Sequence, residues 1–233
     1  MIVFLASRLD KAAQGLVDRW RQEGAAMLTV EDLSANGWRH YPGDTRSSRS
    51  VVRGRVVPTE DIHGVVVRRP RVFPRELAHI AERDREYVAA EMSAFLLSWL
   101  SGLTCPLVNP PTATCLCGPN WSQPQWVWTA ARLGIPVRSV RVRVPALNQE
   151  WDVSNSVEKR IAMTVLDGQC FGTGDEVMAE QARKLAKAAG VRTLTAWFGG
   201  KEDSPAFMGA DPLPDLSDET MLDALRLTLG RRS

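Results

Sequence analysis

The chain opens with Ile2-Val-Phe-Leu-Ala6, an apolar run that is followed by Asp10-Lys-Ala-Ala-Gln-Gly-Leu-Val-Asp-Arg-Trp20. Apolar residues recur at helical spacing in the second stretch, which predicts an amphipathic helix after a buried strand. Gly24 is expected to end that helix, because glycine adopts a left-handed backbone conformation at little cost. Residues 26–30 then predict a second strand, so the chain begins with a β-α-β unit.

Strands and helices alternate along the rest of the chain. After the opening unit, strands are predicted at residues 50–58, 64–67, 107–109, 137–144, 161–166, 169–171, 193–198 and 205–208, and helices at residues 85–101, 124–133, 176–189 and 218–229. Asp167-Gly168 predicts a tight hairpin turn, and Ser217 is predicted to cap the last helix. This interleaving indicates an α/β fold.

Length and composition limit the class of protein. The 233 residues can form one large domain or two small ones, and we predict two, over residues 1–118 and 119–233. The formal net charge is only +2, and the arginine-rich segments lack interleaved aromatic residues, so nucleic acid is not expected as a partner. No apolar run reaches the roughly eighteen residues that a membrane span requires, so no membrane association is expected.

Four cysteines bear on the compartment and on metal binding. Cys105, Cys115, Cys117 and Cys170 do not form the disulfide framework of a secreted domain in a chain of this length, so we expect a cytoplasmic protein. Cys115-Leu-Cys117 lacks both the Cys-x-x-Cys spacing and the second ligand pair that zinc sites generally need. We interpret these cysteines as buried or half-buried thiols.

Arginines follow a predicted buried strand at the point where it ends. Arg68 and Arg69 come directly after the strand, with Arg71 and Arg75 close behind. Parallel sheets bind ligands at the carboxyl ends of their strands, and the guanidinium fork suits carboxylate and phosphate groups. We therefore predict an anion-binding or substrate-binding site formed by Arg68, Arg69 and Asn109. The alternative is a solvated basic loop.

Three short motifs occur in a fixed order through the middle of the chain. They are Tyr87-Val-Ala-Ala-Glu91, Val108-Asn109-Pro110 and Ala130-Ala-Arg-Leu-Gly134-Ile-Pro136-Val137. This ordered set resembles the ATP-grasp carboxylate–amine ligases of the glutathione-synthetase type, in which a helix carrying a Glu precedes an Asn-x-Pro turn and a helix ending in Gly-x-Pro-Val. In the second half, residues 161–171 resemble the central hairpin of that family, residues 179–190 its helix and residues 193–198 the strand that follows.

The resemblance implies a Rossmann-like pre-ATP-grasp domain followed by an ATP-grasp C-terminal lobe that is reduced in size. In the family, an arginine close to the place of Arg68 and Arg69 belongs to the acceptor-substrate side. The lysines that hold the nucleotide come from a β-rich lobe of several dozen residues, whereas this chain has only residues 145–160 in that place. The family's closing magnesium ligands, a Glu and an Asn, correspond here to Gly209 and Asp211.

Five residues remain as candidates for the nucleotide side of such a site. Lys159, Gly172 and Gly174 are candidate phosphate-binding residues, and Asp211 with Asp215 is a candidate metal-binding pair. The competing interpretations are structural. A Gly-x-Gly sequence after a hairpin is often a tight turn, and an Asp next to Pro is often a turn or cap residue.

The sequence therefore leads to one leading hypothesis and two alternatives. The leading hypothesis is an ATP-grasp-like protein without most of the nucleotide site and with no expected cofactor, serving as a non-catalytic or partner-dependent binding subunit of a biosynthetic or peptide-modification system. A protein partner or a homo-oligomer is expected. One alternative is an ATP- and Mg²⁺-dependent carboxylate–amine ligase that acts through an acylphosphate, with Arg69, Lys159 and Asp211 in altered roles. The other is a binding module for a small anionic ligand near Arg68 and Asn109.

Overall fold

The computed structural model describes residues 1–138, 160–199, 205–213, 216 and 218–230. Within these ranges the strands are β1 (Ile2–Leu5), β2 (Ala25–Leu28), β3 (Arg49–Val52), β4 (Arg55–Pro58), β5 (Gly64–Val67), β6 (Leu107–Val108), β7 (Arg160–Leu166), β8 (Gln169–Gly172), β9 (Thr193–Gly199) and β10 (Ala206–Asp211). The α-helices are α1 (Lys11–Arg19), α2 (Val30–Leu33), α3 (Arg85–Gly102), α4 (Gln123–Arg132), α5 (Glu176–Ala189) and α6 (Glu219–Gly230). The α/β class is confirmed.

The first sheet is parallel and has the strand order β2-β1-β5-β6. Every residue of β1 and β5 is buried, as expected for parallel strands that are covered on both faces. All four strands run in the same direction, so the loops that leave their carboxyl ends lie along one edge. That edge is where parallel sheets bind ligands.

Helices cover both faces of this sheet. Helix α3 packs on one face through a buried set that includes Leu96 and Trp99. Helices α1 and α6 pack on the other face, where Leu225 and Leu229 of α6 contribute to the core. Gly64 permits this close approach, because a Cβ at that position would lie 2.9 Å from Leu229 Cδ2. The last helix of the chain therefore returns to the first sheet.

The second sheet is antiparallel, with the strand order β10-β9-β7-β8. Helices α4 and α5 cover one of its faces with a third apolar core that includes Trp126, Leu185 and Phe198. The predicted hairpin over residues 161–171 is confirmed. Asp167 and Gly168 both have positive φ angles, 48° and 82°, as a two-residue type I′ turn requires.

The observed element ends differ from the predictions in places. The strand predicted at residues 26–30 stops at Leu28, because Thr29 and Asp32 form a capping box that starts α2. The segment predicted as one hairpin strand at residues 50–58 is a two-stranded hairpin by itself, β3 with β4. A further strand was predicted at residues 137–144. There, Val137 makes a parallel bridge to Phe207, and residues 139–144 lie outside the described residues.

The cap of the final helix is one residue later than predicted. The Asp218 carboxylate accepts hydrogen bonds from the backbone N–H groups of Thr220 and Met221, at 2.9 and 3.1 Å. Ser217, the predicted cap, lies outside the described residues. The boundary between residues 118 and 119 stays a prediction. None of the helices in the described ranges is both long and apolar enough to cross a bilayer.

Candidate anion-binding site

The loops that follow β1, β2 and β5 enclose a cavity of about 610 Å³ at the carboxyl edge of the parallel sheet. Eleven residues line it: Ser7, Arg8, Leu9, Val30, Glu31, Arg68, Arg69, Pro70, Phe73, Arg75 and Glu76. Four of these carry positive charge and two carry negative charge, so the lining is cationic. The cavity brings together Arg68, Arg69 and Arg75, which the sequence had placed at this edge.

Arg69 is the most deeply buried charge of the cavity, with 3% of its surface exposed. Its Nη2 donates to the Glu76 carboxylate, and its Nε donates to the carbonyl oxygen of Arg71 at 3.1 Å. Its Nη1 is buried and has no hydrogen-bond partner in the part of the chain that the structure describes. Burial lowers the pKa of Arg69, and the Glu76 charge opposes that shift. A buried N–H donor without an acceptor is costly, so an anionic oxygen is the group that this position suits best.

Glu31 contributes a negatively charged carboxylate to the cavity lining. Its Oε1 pairs with Arg8 Nε at 3.0 Å, whereas its buried Oε2 accepts no hydrogen bond from any described residue. Burial raises the pKa of Glu31, but hydrogen bonding with Thr29 and the charge of Arg8 outweigh burial, so the net pKa is lowered. Glu31 thus stays ionised. Within the described part of the chain, Arg69 Nη1 therefore lacks an acceptor and Glu31 Oε2 lacks a donor, and both residues line the cavity.

The remaining arginines shape the walls of the cavity. Arg68 Nε contacts Asp10 Oδ2 at 2.6 Å, and both side chains are largely buried, so Arg68 ties the end of β5 to the start of α1. Arg75 is exposed, and its guanidinium carbon lies 5.1 Å from the centre of the Phe73 ring. An aromatic ring beside an arginine holds the guanidinium in place without neutralising it. Arg75 therefore keeps its charge available at the mouth of the cavity.

Asn109, the third residue predicted for this site, lies elsewhere. Its Nδ2 donates to the carbonyl oxygens of Thr193 and Pro212, at 2.8 and 2.7 Å. Its Oδ1 accepts from the backbone N–H groups of Arg192 and Thr193, at 2.9 and 2.8 Å. The side chain is 1% exposed and is not part of the cavity lining. Asn109 joins the parallel sheet to the antiparallel sheet, and its amide is fully used in doing so.

The glycines predicted to bind phosphate have structural uses in this fold. Gly172 has a φ of 128°, and a Cβ there would collide with the carbonyl oxygen of Ala162 on the neighbouring strand. A Cβ on Gly174 would lie 2.6 Å from Met163 Cε. The helix that follows is capped by Asp175, whose carboxylate accepts from Met178 N at 2.9 Å. That carboxylate occupies the N-terminal position where a phosphate would need N–H donors, and its charge would repel one.

The predicted metal pair is only half described. Asp211 Oδ1 accepts a hydrogen bond from the backbone N–H of Leu213 at 2.8 Å, the geometry of an Asx turn. Lys159 and Asp215 lie outside the described residues. Within the described ranges, no group of three or more His, Cys, Asp or Glu side chains is arranged to hold a metal ion.

Sequence reasoning missed three charged residues of the cavity. Arg8 and Glu31 each lie close behind a strand that was predicted as part of the same parallel sheet, so the rule that found Arg68 and Arg69 would also have found them. Glu76 gave no such signal. It reaches Arg69 only because the segment after β5 turns back through a short 3-10 helix at Pro74–Glu76.

Comparison with known proteins gives matches in structure but not in sequence. No protein-family model matches the chain, and no curated sequence matches it. Among solved structures, the macrocyclase MdnC bound with precursor peptide MdnA from Microcystis aeruginosa MRC superposes with a TM-score of 0.67 at 11% identity, covering 92% of this chain and 91% of that one. The ATP-grasp ligase PsnB, complexed with a phosphomimetic variant of its minimal precursor, Mg and ADP, has a TM-score of 0.67 at 15% identity, covering 98% and 97%.

A third match is the RiPP-associated ATP-grasp ligase of Chryseobacterium gregarium in complex with ADP and a leader and core peptide. It has a TM-score of 0.61 at 8% identity and covers 98% of this chain and 94% of that one. Two of these three structures contain ADP, so the expectation that this chain uses no cofactor gains no support from them. At such low identity the likeness shows the fold alone, and the fold of this chain is similar to that of these ATP-grasp ligases, as the motifs predicted.

Proposed function

We propose that this chain is a peptide-binding protein of a peptide-modification system, and that its cationic cavity holds an acidic group of the peptide. The observation that carries the proposal is the buried Arg69 Nη1, which lacks an acceptor within the described part of the chain and belongs to a residue that lines the cavity with three other arginines and two glutamates. A carboxylate would give Arg69 the acceptor that it lacks.

The chemistry of the cavity favours a peptide over a simple anion. A simple anion would satisfy Arg69 Nη1 but would leave Glu31 Oε2 without a donor and would face its negative charge. A peptide carries carboxylates together with backbone N–H groups, so one segment supplies both the acceptor for Arg69 and the donor for Glu31. The structural neighbours MdnC and PsnB were crystallised with precursor peptides, which is consistent with a peptide as the ligand here.

The nucleotide step is assigned to a partner in this proposal. Binding Mg²⁺ and ATP needs cations for the phosphates and hard oxygen ligands for the metal. In the described ranges, Gly172 and Gly174 are close-packed, Asp175 caps α5, and Asp211 accepts from Leu213. These residues do not fit Mg²⁺ and ATP, so we assign no nucleotide-dependent reaction step to this chain.

A second candidate function is an ATP-dependent carboxylate–amine ligase. It is favoured by one observation, that PsnB shares the fold and was crystallised with Mg and ADP. For this chain the function would require phosphate and metal contacts from Lys159, Asp211 and Asp215. The measurable difference is release of inorganic phosphate when Mg²⁺, ATP and an acidic peptide are mixed with the purified chain. Loss of that release in Asp211→Asn would support the ligase.

Peptide binding tests the leading proposal directly. A fluorescently labelled peptide with a central Glu-Glu pair is titrated against the protein, and its anisotropy is compared with that of a Gln-Gln peptide. Arg69→Met keeps most of the side-chain volume and removes the charge, so we expect roughly tenfold to a hundredfold weaker binding of the Glu-Glu peptide, as for loss of a charged hydrogen bond. Arg75→Gln, at the exposed mouth, should weaken binding less and should not disturb folding.

The matched control is Arg83→Met. Arg83 lies outside the cavity and its side chain is 88% exposed, so binding should not change. The proposal is wrong if the Glu-Glu and Gln-Gln peptides bind equally well to the unsubstituted protein. It is also wrong if Arg69→Met and Arg75→Gln both bind the Glu-Glu peptide as tightly as Arg83→Met does.

A further inference from the structure

Two buried thiols lie side by side in the segment that follows β6. The Sγ atoms of Cys115 and Cys117 are 3.7 Å apart. Short hydrogen bonds hold this segment in place: Thr112 N donates to Cys115 O at 2.8 Å, and Thr112 Oγ1 donates to Gly118 O at 3.1 Å. The two sulfur atoms are therefore held as neighbours by the backbone rather than brought together by chance side-chain rotation.

The two thiols are not equivalent. Cys115 lines a cavity of about 230 Å³ that opens between this segment and α3, whereas Cys117 is not part of that lining. A hydrogen bond from the Cys117 thiol lowers the pKa of Cys115. The same hydrogen bond, with burial, raises the pKa of Cys117. The thiolate thus belongs to the cysteine that lines the cavity, and the protonated thiol to the one that does not.

We propose that Cys115 and Cys117 form a dithiol site that exchanges with disulfides, in which Cys115 attacks from the cavity and Cys117 resolves the intermediate. The Cys115 thiolate attacks one sulfur of a small-molecule disulfide, forms a mixed disulfide and releases one thiolate. Cys117 then passes its proton to the released thiolate and attacks Cys115 Sγ, which releases the second thiolate and leaves a Cys115–Cys117 disulfide. One disulfide is reduced and one is formed, so the electrons balance without a further oxidant.

The second step requires only a small movement of the two sulfur atoms. A disulfide has a sulfur–sulfur distance of about 2.05 Å, so the observed 3.7 Å must close by about 1.7 Å. Cys105 and Cys170 are also free thiols. Burial raises the pKa of Cys105 to about 11, so it is a poor nucleophile. Burial likewise raises the pKa of Cys170, which contacts Arg183 Nη1 at 3.4 Å.

The site lies next to the anion cavity. Leu116, between the two cysteines, is buried and donates from its backbone N–H to the Pro70 carbonyl oxygen at 2.9 Å. Pro70 lines both cavities and directly follows Arg69. Because Leu116 links the two cysteines to Pro70, we expect closure of the disulfide to alter this contact, so the oxidised form should bind an acidic peptide with a different affinity. This consequence rests on the proposed function, whereas the exchange reaction does not.

Oxidised glutathione is the probe for the exchange, with intact-protein mass spectrometry as the readout. The experiment uses the full chain carrying Cys105→Ser and Cys170→Ser, so that only the pair can react. We expect the pair to lose two hydrogens and to retain no glutathione. With Cys117→Ser added, the protein should retain one glutathionyl group, because the resolving thiol is absent. With Cys115→Ser added instead, modification should be roughly tenfold slower or more.

Thermal unfolding and circular dichroism of each variant establish that the fold is kept. If Cys117→Ser unfolds, the same assignment is made on the unsubstituted pair by trapping the first mixed disulfide at short times and locating it by peptide mapping. Glutathione on Cys115 supports the proposal. The proposal is overturned if the trapped glutathione is on Cys117, if the Cys115→Ser and Cys117→Ser variants react at equal rates, or if no disulfide forms.

Discussion

At the scale of single residues, the cavity lining contains a buried arginine, Arg69, and a half-buried glutamate, Glu31, each with one unsatisfied buried atom. Arg69 has two of its three guanidinium nitrogens engaged, and Glu31 has one of its two oxygens engaged. They do not neutralise each other, since Arg69 pairs with Glu76 and Glu31 pairs with Arg8. Ligand binding is therefore expected to respond to each charge separately and with opposite signs.

Glu31→Gln should strengthen binding of the acidic peptide. The substitution removes a negative charge from the cavity lining and frees Arg8 from its partner, while it keeps the shape of the side chain. Removal of one unit charge from a partly exposed site changes the free energy of binding by about 1 kcal/mol, which corresponds to roughly fivefold tighter binding. Anisotropy titration at low and high salt measures the change, which should shrink at high salt because the effect is electrostatic.

Glu60→Gln is the matched control, because Glu60 is exposed and lies outside the cavity. Weaker binding in Glu31→Gln would contradict this prediction. It would mean that Glu31 Oε2 accepts a hydrogen bond from the ligand more strongly than its charge repels the carboxylate.

At the scale of elements, the last helix depends on a cap and on a glycine far away in sequence. Asp218 caps the helix, and Gly64 leaves room for Leu229 near its other end. The helix also meets the hairpin, where Thr228 Oγ1 donates to Asp167 Oδ2 at 3.2 Å. Loss of the cap should therefore weaken packing against both sheets.

Asp218→Ala should lower the free energy of unfolding by about 1 kcal/mol at neutral pH, the usual value for an N-cap. Hydrogen bonding with Thr220, chiefly to its side chain, lowers the pKa of Asp218 below 3.8 in the folded state. A lowered folded-state pKa means that the stabilisation is complete above the unfolded-state value and is lost as the pH falls through the folded value. Urea unfolding of both proteins across that acid range should show the difference shrinking.

The control for the cap is Asp223→Ala, on an exposed position of the same helix. It should change the free energy of unfolding by less than about 0.5 kcal/mol, as exposed substitutions usually do. An equal loss in both variants would mean that helical charge, rather than capping, accounts for the effect of Asp218.

Periodicity predicted most elements, and local hydrogen bonding explains where it failed. The run at residues 26–30 is apolar except for Thr29, so it predicts a strand, yet Thr29 and Asp32 form a capping box and begin α2. This signal was present in the sequence as a Thr-x-x-Asp pattern. The tight packing of Gly172 and Gly174 gave no such signal, because it depends on Ala162 and Met163 across the hairpin.

At the scale of the whole molecule, the sequence predicted that the candidate site lies at the carboxyl edge of the parallel sheet, but not which side chains at that edge line the cavity. Arg68 and Arg69 were found because a rule links them to their own strand. Asn109 ends a neighbouring strand and satisfies the same rule, but its partners Thr193 and Pro212 lie 84 and 103 positions further along the chain. The sequence contains no local trace of that contact, so a residue that joins the two sheets was predicted to bind a ligand.

Asn109→Ala should cost the protein more stability than any surface substitution. It removes four hydrogen bonds, two of them fully buried, and takes the Asn109 partner away from two carbonyl oxygens and two N–H groups. Because each unsatisfied buried group costs about 1–3 kcal/mol, we expect a loss of roughly 3 kcal/mol or more in the free energy of unfolding. Urea unfolding followed by tryptophan fluorescence measures it, since Trp99 and Trp126 are buried against different sheets.

Asn109→Asp separates the donor half of this contact from the acceptor half. The aspartate keeps an oxygen for the N–H groups of Arg192 and Thr193, but it turns a second oxygen towards the carbonyls of Thr193 and Pro212, so we expect a loss at least as large as that of alanine. Asn36→Ala, at an exposed position, should change little. If Asn109→Ala were as stable as Asn36→Ala, the hydrogen bonds of Asn109 would contribute nothing measurable, and the two sheets would be held together by other contacts, such as the packing of α6 against both.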